Sequence, residues 1–510
     1  MKRRHVLAGL VGGTAIAAGG AAAGMYKFRK RYDDVEINIK PLSVYDASKS
    51  VDVCIIGSGP AGCTVAKEVA ATGKSVLMLE SGGSMVSGDS MIKASKLESY
   101  STSGDLNYPL QASRFRALGG TSNIWTGRCP RLLPLDFEGN PLIPGGAWPL
   151  SYDDLAPYYD RAEETLHVIG EELVAGHAPR RAPLRKPWWL GDAGYIRDII
   201  EPTGISVNVP PLSQMKAAFF DNSSPLRCAT HMLPELSAME NVEVLSNATV
   251  TRLVCNDSGE ITHALVREVD GVQKEITAKR FVVACGAVET ARLLLLSKST
   301  LFPDGLGNTT DQVGRHFMEH PFVSYTAPIP GMKAPDGWEV ARTYEFVPQL
   351  REKGLGGAIV AFYGKPHLKN KLMVALGIEM APDENNRITL SADKQDAFGD
   401  PGAHLHLAFS RQDQAVFEEG ENIINGIYAT LGAGEVEKLD DLHWSHHHMG
   451  TTRMGDDPDT SVVDPNLKVH GVKNLYIASG AVFASSGSGN PTLTIVALSH
   501  RLADYLNELG

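Results

Sequence analysis

A buried strand, a glycine-rich turn, a helix and a second strand follow one another between residues 51 and 80. The first strand is predicted over Val51–Ile56, where the run VDVCII is apolar and rich in β-branched residues. The turn GSGPAG follows it, and a second apolar run ends on Glu80. Glycines at such a turn let the backbone approach a pyrophosphate at the helix N-terminus, and the terminal carboxylate can accept hydrogen bonds from ribose hydroxyls. The unit therefore predicts a dinucleotide-binding α/β domain with these contacts: Gly57, Gly59, Pro60, Ala61, Gly62 and Glu80.

Two later segments extend the predicted nucleotide site. The loop RALGGTSNIWTGRC at 116–129 has the composition of a loop along a phosphate or a flavin ring, although an ordinary turn can have the same composition. The run FVVACGAVETARLLLL at 281–296 predicts another buried strand, a glycine turn and a helix. A second such unit returning to the same sheet indicates a discontinuous nucleotide-binding domain. The first unit by itself serves FAD and NAD equally well.

Two polar segments near the C-terminus are framed by glycines. SHHHMGTTRMG begins at Ser445, and SSGSGNPTLTIVALSHRLADYL begins at Ser485. Apolar residues recur at helical spacing after Pro491, so a helix is predicted to begin there. Asn490 and Thr492 then lie at the helix N-terminus, where free N–H groups favour an electron-rich ligand atom. The alternative is that Asn490 only caps the helix.

Four histidines crowd the first of these segments: His443, His446, His447 and His448. Imidazoles at this spacing can share a metal ion, but no carboxylate or thiolate pattern completes a ligand set, and Gly450 interrupts any helix. No metal site is therefore predicted. A catalytic base and a surface cluster remain as the two interpretations.

Composition argues against several classes of protein. With 510 residues, of which 43% are hydrophobic, the chain is long enough for two or more structural lobes. A net charge of -11 and the lack of a basic stripe argue against a nucleic-acid partner. The six cysteines include no CxxC pair, so neither a disulfide scaffold nor a zinc module is indicated. The sequence leaves open whether Cys129 and Cys228 pair.

The first 32 residues have the pattern of a targeting segment. The pair Arg3–Arg4 precedes an uncharged run, Val6–Tyr26, and a second basic stretch follows it. Because six glycines make the run only mildly apolar, we predict a twin-arginine export signal with cleavage near Ala21–Ala23 and a periplasmic location. The arginine pair is not followed by Phe-Leu-Lys, and an uncleaved N-terminal membrane anchor is the alternative.

Six motifs carry a family resemblance. They run in order along the chain: the unit from Gly57 to Glu80, GGTSNIW at 119–125, Cys285–Ala287, VGRHFMEHP at 313–321, HHMGTTRMG and GNPTLT. Together they resemble the glucose-methanol-choline (GMC) oxidoreductase family. The GNPTLT ending is similar to that of pyranose oxidases and of bacterial FAD-dependent sugar and sugar-acid dehydrogenases. The resemblance implies FAD, oxidation of an alcohol and a catalytic pair beside flavin N5.

The resemblance assigns roles to single positions of this chain. The family histidine before the Gly-Thr turn falls on His447, and its catalytic partner falls on Asn490. Ile124 stands where pyranose oxidases carry a flavin-linking histidine, so noncovalent FAD is expected. The further cofactor contacts that the resemblance implies are Gly119, Gly120, Ser122, Asn123, Val250, Gly286, Ser479, Gly480, Ala481, Pro491 and Thr492.

These patterns predict an α/β protein with a discontinuous, Rossmann-like FAD-binding domain and a substrate domain built on an antiparallel sheet plus helices. The FAD-binding domain is assigned to 48–130, 228–318 and 445–510, and the substrate or cap domain to 131–227 and 319–444. The strands expected in the substrate domain are Ala358–Tyr363, Leu372–Met380, Ile388–Leu390 and Leu405–Phe409, and a helix is expected over Gln412–Leu431.

The predicted reaction is oxidation of an alcohol group on a sugar, sugar acid or polyol to a carbonyl. A neutral imidazole suits removal of the hydroxyl proton by His447, while Asn490 would hold the oxygen and orient the C–H toward flavin N5. We expect electrons to pass to a quinone or cytochrome, and an oxidase that releases hydrogen peroxide is the alternative. A flavin-dependent lyase or decarboxylase is the alternative from another class, because fold does not fix reaction. A protein that only binds a nucleotide would not need the pair.

Overall fold

The computed structural model describes residues 38–85, 87–139, 146–170, 184, 193–213, 225–439 and 442–509. The predicted export signal or anchor at 1–32 lies outside these residues. Within them, no helix combines the length and the apolar character that crossing a membrane requires.

A six-stranded parallel sheet, which we call the central sheet, organises the nucleotide side of the molecule. Its strands run in the order Lys40–Pro41, Val242–Ser246, Val76–Leu79, Val51–Ile56, Ala278–Val283 and Leu475–Ile477. Inner strands of a parallel sheet are covered on both faces, which explains why Val76–Leu79 is wholly apolar and why Val51–Ile56 and Ala278–Val283 end in buried apolar residues. The order confirms both predicted strand, turn and helix units. Because the strands are parallel, the residues that follow them meet at one edge, where α/β folds bind ligands.

Three helices pack around the central sheet. They are Pro60–Ala70, Gly286–Leu296 and Thr492–Glu508. A fourth, Tyr152–Thr165, packs against the C-terminal helix, and its Arg161 pairs with Glu68 at 2.7 Å and with Asp504 at 2.6 Å. This helix lies in the segment 131–227 that the sequence assigns to the substrate or cap domain, and it also contacts the nucleotide side. The proposed domain boundaries stay a prediction.

A second sheet, the substrate sheet, is antiparallel as predicted. Its strands run in the order Glu339–Thr343, Ala358–Gly364, Lys371–Ile378, Pro321–Pro328 and Glu437–Lys438, and His443–Trp444 also pairs with Pro321–Pro328. The predicted long helix is Arg411–Thr430, and it packs on the strand Lys371–Ile378. Ser410 and Asp413 form a capping box at its start, with the Asp413 N–H donating to Ser410 Oγ at 3.1 Å and the Ser410 N–H donating to Asp413 Oδ2 at 2.8 Å.

Two of the predicted strands belong to a different sheet. Arg387–Gln395 pairs antiparallel with Pro401–His406, which pairs parallel with Tyr100–Ser103, and this small sheet packs on the helix Gly286–Leu296. The expectation that all four strands build one substrate sheet was wrong. Alternation of apolar and polar residues predicts a strand, but the partner of a strand depends on contacts distant in sequence.

The remaining elements are shorter or peripheral. A three-stranded sheet is formed by Gln273–Ile276, Ile261–Arg267 and Thr249–Cys255. The shorter helices are Gly88–Ser95, Pro134–Glu138, Gly194–Ile200, Cys228–Ser237 and Val347–Glu352, and the strands Val168–Ile169 and Leu212–Ser213 pair with each other. Cys129 and Cys228 are both buried free thiols, so the disulfide that the sequence left open is not formed. The Cys228 Sγ instead lies 3.6 Å from Met232 Sδ.

Candidate active site

A cavity of about 700 Å³ lies at the carboxyl edge of the central sheet and extends to the face of the substrate sheet. Its volume is in the range of cofactor and small-molecule sites. We call one side of the cavity the nucleotide half; it is formed by the glycine turn, the helix Gly286–Leu296 and their neighbours. The opposite side is the substrate wall, formed by Arg128, Phe322, Ser324, Arg342, Tyr363, Lys365, Met373 and Ala375. His447 and Asn490 also line the cavity.

The glycines of the nucleotide half leave room for a ligand beside the backbone. Gly57 has φ +110°, and a Cβ there would lie 2.5 Å from the Ala284 carbonyl oxygen, so the turn itself requires glycine. A Cβ at Gly59 or Gly286 would meet no protein atom within 4 Å, because both glycines face the cavity. A Cβ at Gly62 would lie 2.0 Å from the Gly57 oxygen, so Gly62 permits close packing of helix on strand. These features fit a dinucleotide whose pyrophosphate lies at the helix N-terminus.

Glu80 lies at the end of its strand, as predicted, and is buried. Its Oε2 accepts hydrogen bonds from the Ser58 N–H at 3.1 Å and from Ser58 Oγ at 2.6 Å, and its Oε1 accepts one from the Gly82 N–H at 2.8 Å. Burial raises the pKa of this carboxyl, although the three hydrogen bonds oppose the shift. The network holds the carboxylate against the glycine turn, where it lines the cavity.

The structure brings most of the predicted site residues to one cavity. Those that line it are Gly57, Gly59, Pro60, Ala61, Glu80, Gly120, Ser122, Val250, Gly286, His447, Ser479, Gly480, Asn490, Pro491 and Thr492. Gly62, Gly119, Asn123 and Ala481 lie behind this lining. Asn123, for example, donates its Nδ2 hydrogens to the carbonyls of Leu118 and Gly120 at 2.7 and 2.9 Å, and so shapes the loop. The resemblance assigned these four as contacts because sequence motifs do not separate lining from supporting residues.

His447 and Asn490 are joined directly. The Asn490 Nδ2 donates to His447 Nε2 at 3.0 Å, and Asn490 Oδ1 accepts a hydrogen bond from Arg342 Nη1 at 2.9 Å. A guanidinium can only donate, so Arg342 fixes which end of the amide faces the histidine. Burial lowers the pKa of His447 well below its usual value, and the neighbouring His320 and Arg342 lower it further. The imidazole is therefore neutral at physiological pH and able to accept a proton.

A second histidine fixes the tautomer of the first. His320 Nε2 lies 2.9 Å from the Gly487 carbonyl, and its Nδ1 lies 2.9 Å from His447 Nδ1. Since a carbonyl only accepts, His320 carries its proton on Nε2; burial lowers its pKa to about 4, so Nδ1 keeps a lone pair. That lone pair must accept the His447 Nδ1 proton. The lone pair of His447 is consequently on Nε2, where it accepts the hydrogen bond from Asn490.

The loop that carries His447 is anchored by a buried carboxylate. Glu319 accepts hydrogen bonds from the backbone N–H of Ser445 at 3.0 Å and from that of His447, and burial raises its pKa to about 7. His446 adopts φ +60°, which turns the chain between these two donors and leaves its own side chain exposed. His448 Nε2 lies 2.7 Å from the Tyr108 hydroxyl. The four histidines thus have different surroundings, and in the part of the chain that the structure describes, no group of three or more His, Cys, Asp or Glu is arranged to hold a metal ion.

Asn490 does not cap the helix that follows it. The helix runs Thr492–Glu508 with Pro491 at the N-cap position, and no side chain caps it. The alternative interpretation, in which Asn490 only caps the helix, was wrong, because its amide is engaged by Arg342 and His447 instead. The helix also begins one residue later than predicted, and its N-terminal residues still line the cavity.

Sequence reasoning missed four residues around the pair. Glu319 and His320 lie in the motif VGRHFMEHP, which supported the family resemblance but received no residue roles, so the motif was the available signal. Arg342 is an isolated cation without a recognisable motif, and Arg128 lies in the loop 116–129 but received no role. Both arginines reach the substrate wall through the tertiary structure. Arg342 lies on the strand Glu339–Thr343, which pairs with Ala358–Gly364, and Arg128 lies in the loop before Cys129.

Comparison with known proteins agrees with this site. Family models of the GMC oxidoreductases match residues 226–322 and 382–499. The fructose dehydrogenase large subunit of Gluconobacter japonicus is 28% identical, covering 90% of this chain and 98% of the relative. The 2-methyl-1,2-propanediol dehydrogenase of Mycolicibacterium austroafricanum is 27% identical, covering 90% and 96%. Among solved structures, pyridoxine 4-oxidase from Mesorbium loti superposes with a TM-score of 0.64 at 18% identity, covering 90% of this chain and 99% of that one.

The two family models cover the segments that carry Gly286, Glu319, His447 and Asn490, and the fold is shared over nine tenths of the chain. Membership implies FAD as the cofactor, which the glycine turn and the residues around it fit. The chain belongs to the GMC oxidoreductase family and is an oxidoreductase acting on CH–OH groups.

Proposed function

We propose that this protein oxidises an alcohol group of a sugar, sugar acid or polyol to a carbonyl, using noncovalently bound FAD. The observation that carries the proposal is the neutral His447, whose Nε2 lone pair accepts a hydrogen bond from the Asn490 amide inside the cavity. An alcohol oxygen that enters between the two groups would replace this hydrogen bond. The names of the two dehydrogenase relatives support an alcohol substrate, since both act on hydroxylated carbon chains.

The two residues divide the work on the alcohol. His447 Nε2 takes the hydroxyl proton, and the Asn490 Nδ2 group donates a hydrogen bond to the same oxygen, which holds the carbinol carbon in one orientation. FAD, when bound, supplies the two-electron acceptor for the hydride that leaves this carbon. One proton and one hydride are removed and a C=O bond forms. Arg342 keeps Asn490 oriented throughout, because it holds the amide oxygen.

Noncovalent attachment rests on Ile124, which lines the cavity where a linking histidine would be needed. An aliphatic side chain has no nucleophilic atom to bond the flavin. Precipitation of the protein with acid should release all flavin into the supernatant. Flavin that remains in the pellet after washing would contradict this part of the proposal.

For the electron acceptor we propose a quinone or a cytochrome, and for the location the periplasm, reached through the export signal at 1–32 or through an uncleaved anchor at the membrane. Support comes from the twin arginines and from two relatives named as dehydrogenases. The oxidase alternative predicts stoichiometric hydrogen peroxide in air. N-terminal sequencing of the exported protein tests the signal, and a mature chain that begins at Met1 in the cytoplasm would contradict it.

The central test is anaerobic reduction of the bound flavin by a panel of sugars, sugar acids and polyols, followed by absorbance. We expect bleaching by at least one member and recovery of the corresponding carbonyl product. A compound that is turned over without bleaching would instead support the lyase alternative. If dithionite reduces the flavin but no alcohol in the panel does, the proposed activity is wrong.

A further inference from the structure

The charges that line the cavity are distributed unevenly. Within the described residues, all five acidic side chains of the lining belong to the nucleotide half: Glu80, Glu98, Glu289, Asp396 and Asp400. The charged residues of the substrate wall are Arg128, Arg342 and Lys365, all of them cationic. Among the described residues, the lining of the wall on which the substrate would lie therefore includes cations and no carboxylate.

Arg342 is almost fully buried, with 2% of its surface exposed. Its Nη1 bonds the Asn490 amide oxygen, which is neutral, and its Nε is buried with no hydrogen-bond partner. Arg342 forms no ion pair with any carboxylate in the described residues, although removing a guanidinium from water is costly unless a charge compensates it.

Arg128 increases this excess of positive charge. Its side chain lines the cavity, and burial followed by repulsion from Arg342 lowers its pKa to about 10. It also forms no ion pair with a described carboxylate. Lys365, further along the wall, lies 5.0 and 5.2 Å from the ring centres of Trp338 and Tyr363, contacts that leave its charge uncompensated.

The arginines of the nucleotide half show the opposite arrangement. Arg114, Arg116 and Arg292 all pair with Glu289, at 2.8, 3.2 and 3.4 Å, and Arg292 also pairs with Asp396 at 2.6 Å. The lack of a described counter-ion thus distinguishes the arginines of the substrate wall from these three arginines of the nucleotide half.

We propose that the substrate carries an anionic oxygen group, a carboxylate or a phosphate, which binds to Arg128 and Arg342 while its carbinol faces His447 and Asn490. Guanidinium groups match both anions in a bidentate geometry. The proposal rests on the proposed alcohol oxidation and narrows its substrate to hydroxy acids or phosphorylated alcohols. Since Arg342 also holds Asn490, the anion and the catalytic amide share one anchor, which sets the distance between the charged end and the reacting carbon.

Matched substrates test the proposal on the unmodified enzyme. Two triads differ only in the end group: glycerol, glycerate and glycerol 3-phosphate; and sorbitol, gluconate and sorbitol 6-phosphate. Anaerobic stopped-flow reduction of the flavin gives a rate and an apparent Kd for each. We expect an anionic member to be at least about 30-fold more efficient than its neutral partner, since a buried charged contact is worth that much or more. The anionic member with the higher efficiency shows whether the site prefers a carboxylate or a phosphate. Equal or better reduction by the neutral members would overturn the proposal.

Arg128→Met provides the second arm, with Arg411→Met as the matched control, because Arg411 is exposed at the start of a helix away from the cavity. We expect Arg128→Met to remove the preference, lowering efficiency about 30-fold for anionic members and less than about threefold for neutral ones. Cations that served only to stabilise the reduced cofactor would affect both kinds of substrate equally. An equal loss for charged and neutral substrates would therefore refute anion recognition.

A binding measurement separates this inference from the proposed activity. Gluconate and inorganic phosphate are titrated into the oxidised holoenzyme, and perturbation of the flavin absorbance reports binding without turnover. If no alcohol reduces the flavin, the proposed activity fails. Anion binding that is saturable in the wild type and weakened in Arg128→Met would still support the anion site, whereas its absence from the wild type would overturn it.

Discussion

The two sides of the cavity differ in how their buried charges are compensated. In the nucleotide half, three arginines converge on Glu289, whose pKa the guanidinium groups hold well below its usual range despite burial. On the substrate wall, Arg128 and Arg342 face the cavity with no described carboxylate beside them. In the nucleotide half the charges are neutralised within the protein, so we infer that they stabilise the fold. On the substrate wall we infer that a ligand supplies the missing negative charge, so that the two arginines recognise the substrate.

The two sides also differ in how far apart along the chain their contacting residues lie. The nucleotide half is shaped by glycines of one short turn: Gly62 packs against Gly57 five positions earlier, although Gly57 itself also packs against Ala284 of another strand. The catalytic pair is instead held by residues far apart along the chain, with Arg342 and Asn490 separated by 148 positions. Changes in the nucleotide half should therefore alter folding or cofactor content, and changes near the pair should alter chemistry with the cofactor retained.

His447→Ala should give the largest effect on catalysis while leaving the nucleotide half intact. Removal of a general base lowers rates by about 10²–10⁴-fold. We expect anaerobic flavin reduction at pH 7 to fall by that factor with the FAD content unchanged. His367→Ala, at an exposed histidine outside the cavity lining, is the matched control and should stay near the wild type. Near wild-type reduction by His447→Ala would show that another group takes the proton.

Glu289→Gln should destabilise the protein by removing the counter-ion of the nucleotide half. Three arginines lose their shared counter-ion, and disruption of a buried pair typically costs about 3 kcal/mol in the free energy of unfolding. Glu437→Gln, whose pair with Lys371 is exposed, should change stability by less than about 1 kcal/mol. Urea unfolding of both variants measures the difference. Equal stabilities would mean that the Glu289 cluster is not the structural element proposed here.

Gly59→Val should fill the cofactor space without disturbing the fold. Gly59 has φ -72°, which any residue adopts, and its Cβ would meet no protein atom within 4 Å. We expect a folded protein whose FAD content falls by about tenfold or more, because the valine side chain would occupy the position of the pyrophosphate. Gly426→Val on an exposed helical face is the control for the added side chain. Full FAD occupancy in Gly59→Val would place the cofactor elsewhere.

His320 should act as a positioning residue for His447. His320→Leu removes the acceptor that fixes the His447 tautomer, and we expect flavin reduction to fall by about tenfold with little change in apparent Kd. His320→Gln can still donate to the Gly487 carbonyl and accept from His447, so it should recover most of the rate. If both variants lose the same activity, His320 is only a packing residue.

The pH dependence should show the smallest effect. Because burial and nearby cations lower the pKa of His447, its base form persists as the pH falls below the ordinary value. Flavin reduction should stay within about twofold between pH 8 and pH 6, whereas an imidazole of pKa about 6.5 would be only about one quarter neutral at pH 6. A rate that falls with a midpoint near 6.5 would mean that the cavity does not depress this pKa.

The nucleotide side was predictable because its signals are local. The apolar run Val51–Ile56, the glycine turn and Glu80 are read within thirty residues, and each lies where the pattern placed it. The family motifs also selected His447 among four histidines, and the structure supplies the reason: only this one is turned toward Asn490. The boundaries of the long helix and of the strand Ala358–Gly364 were predicted to within one residue.

The sequence by itself determined the fold class and the nucleotide unit, because periodicity and short motifs act over neighbouring residues, and the family resemblance predicted the catalytic pair. Tertiary structure alone decided that Asn490 orients toward His447 instead of capping its helix and that His320 sets the tautomer. It also decided that Arg128 and Arg342 line one cavity and form no ion pair with a described carboxylate. The physical reason is that hydrogen bonding and charge compensation depend on distances between atoms, and these distances are set by strands and loops that lie far apart along the chain.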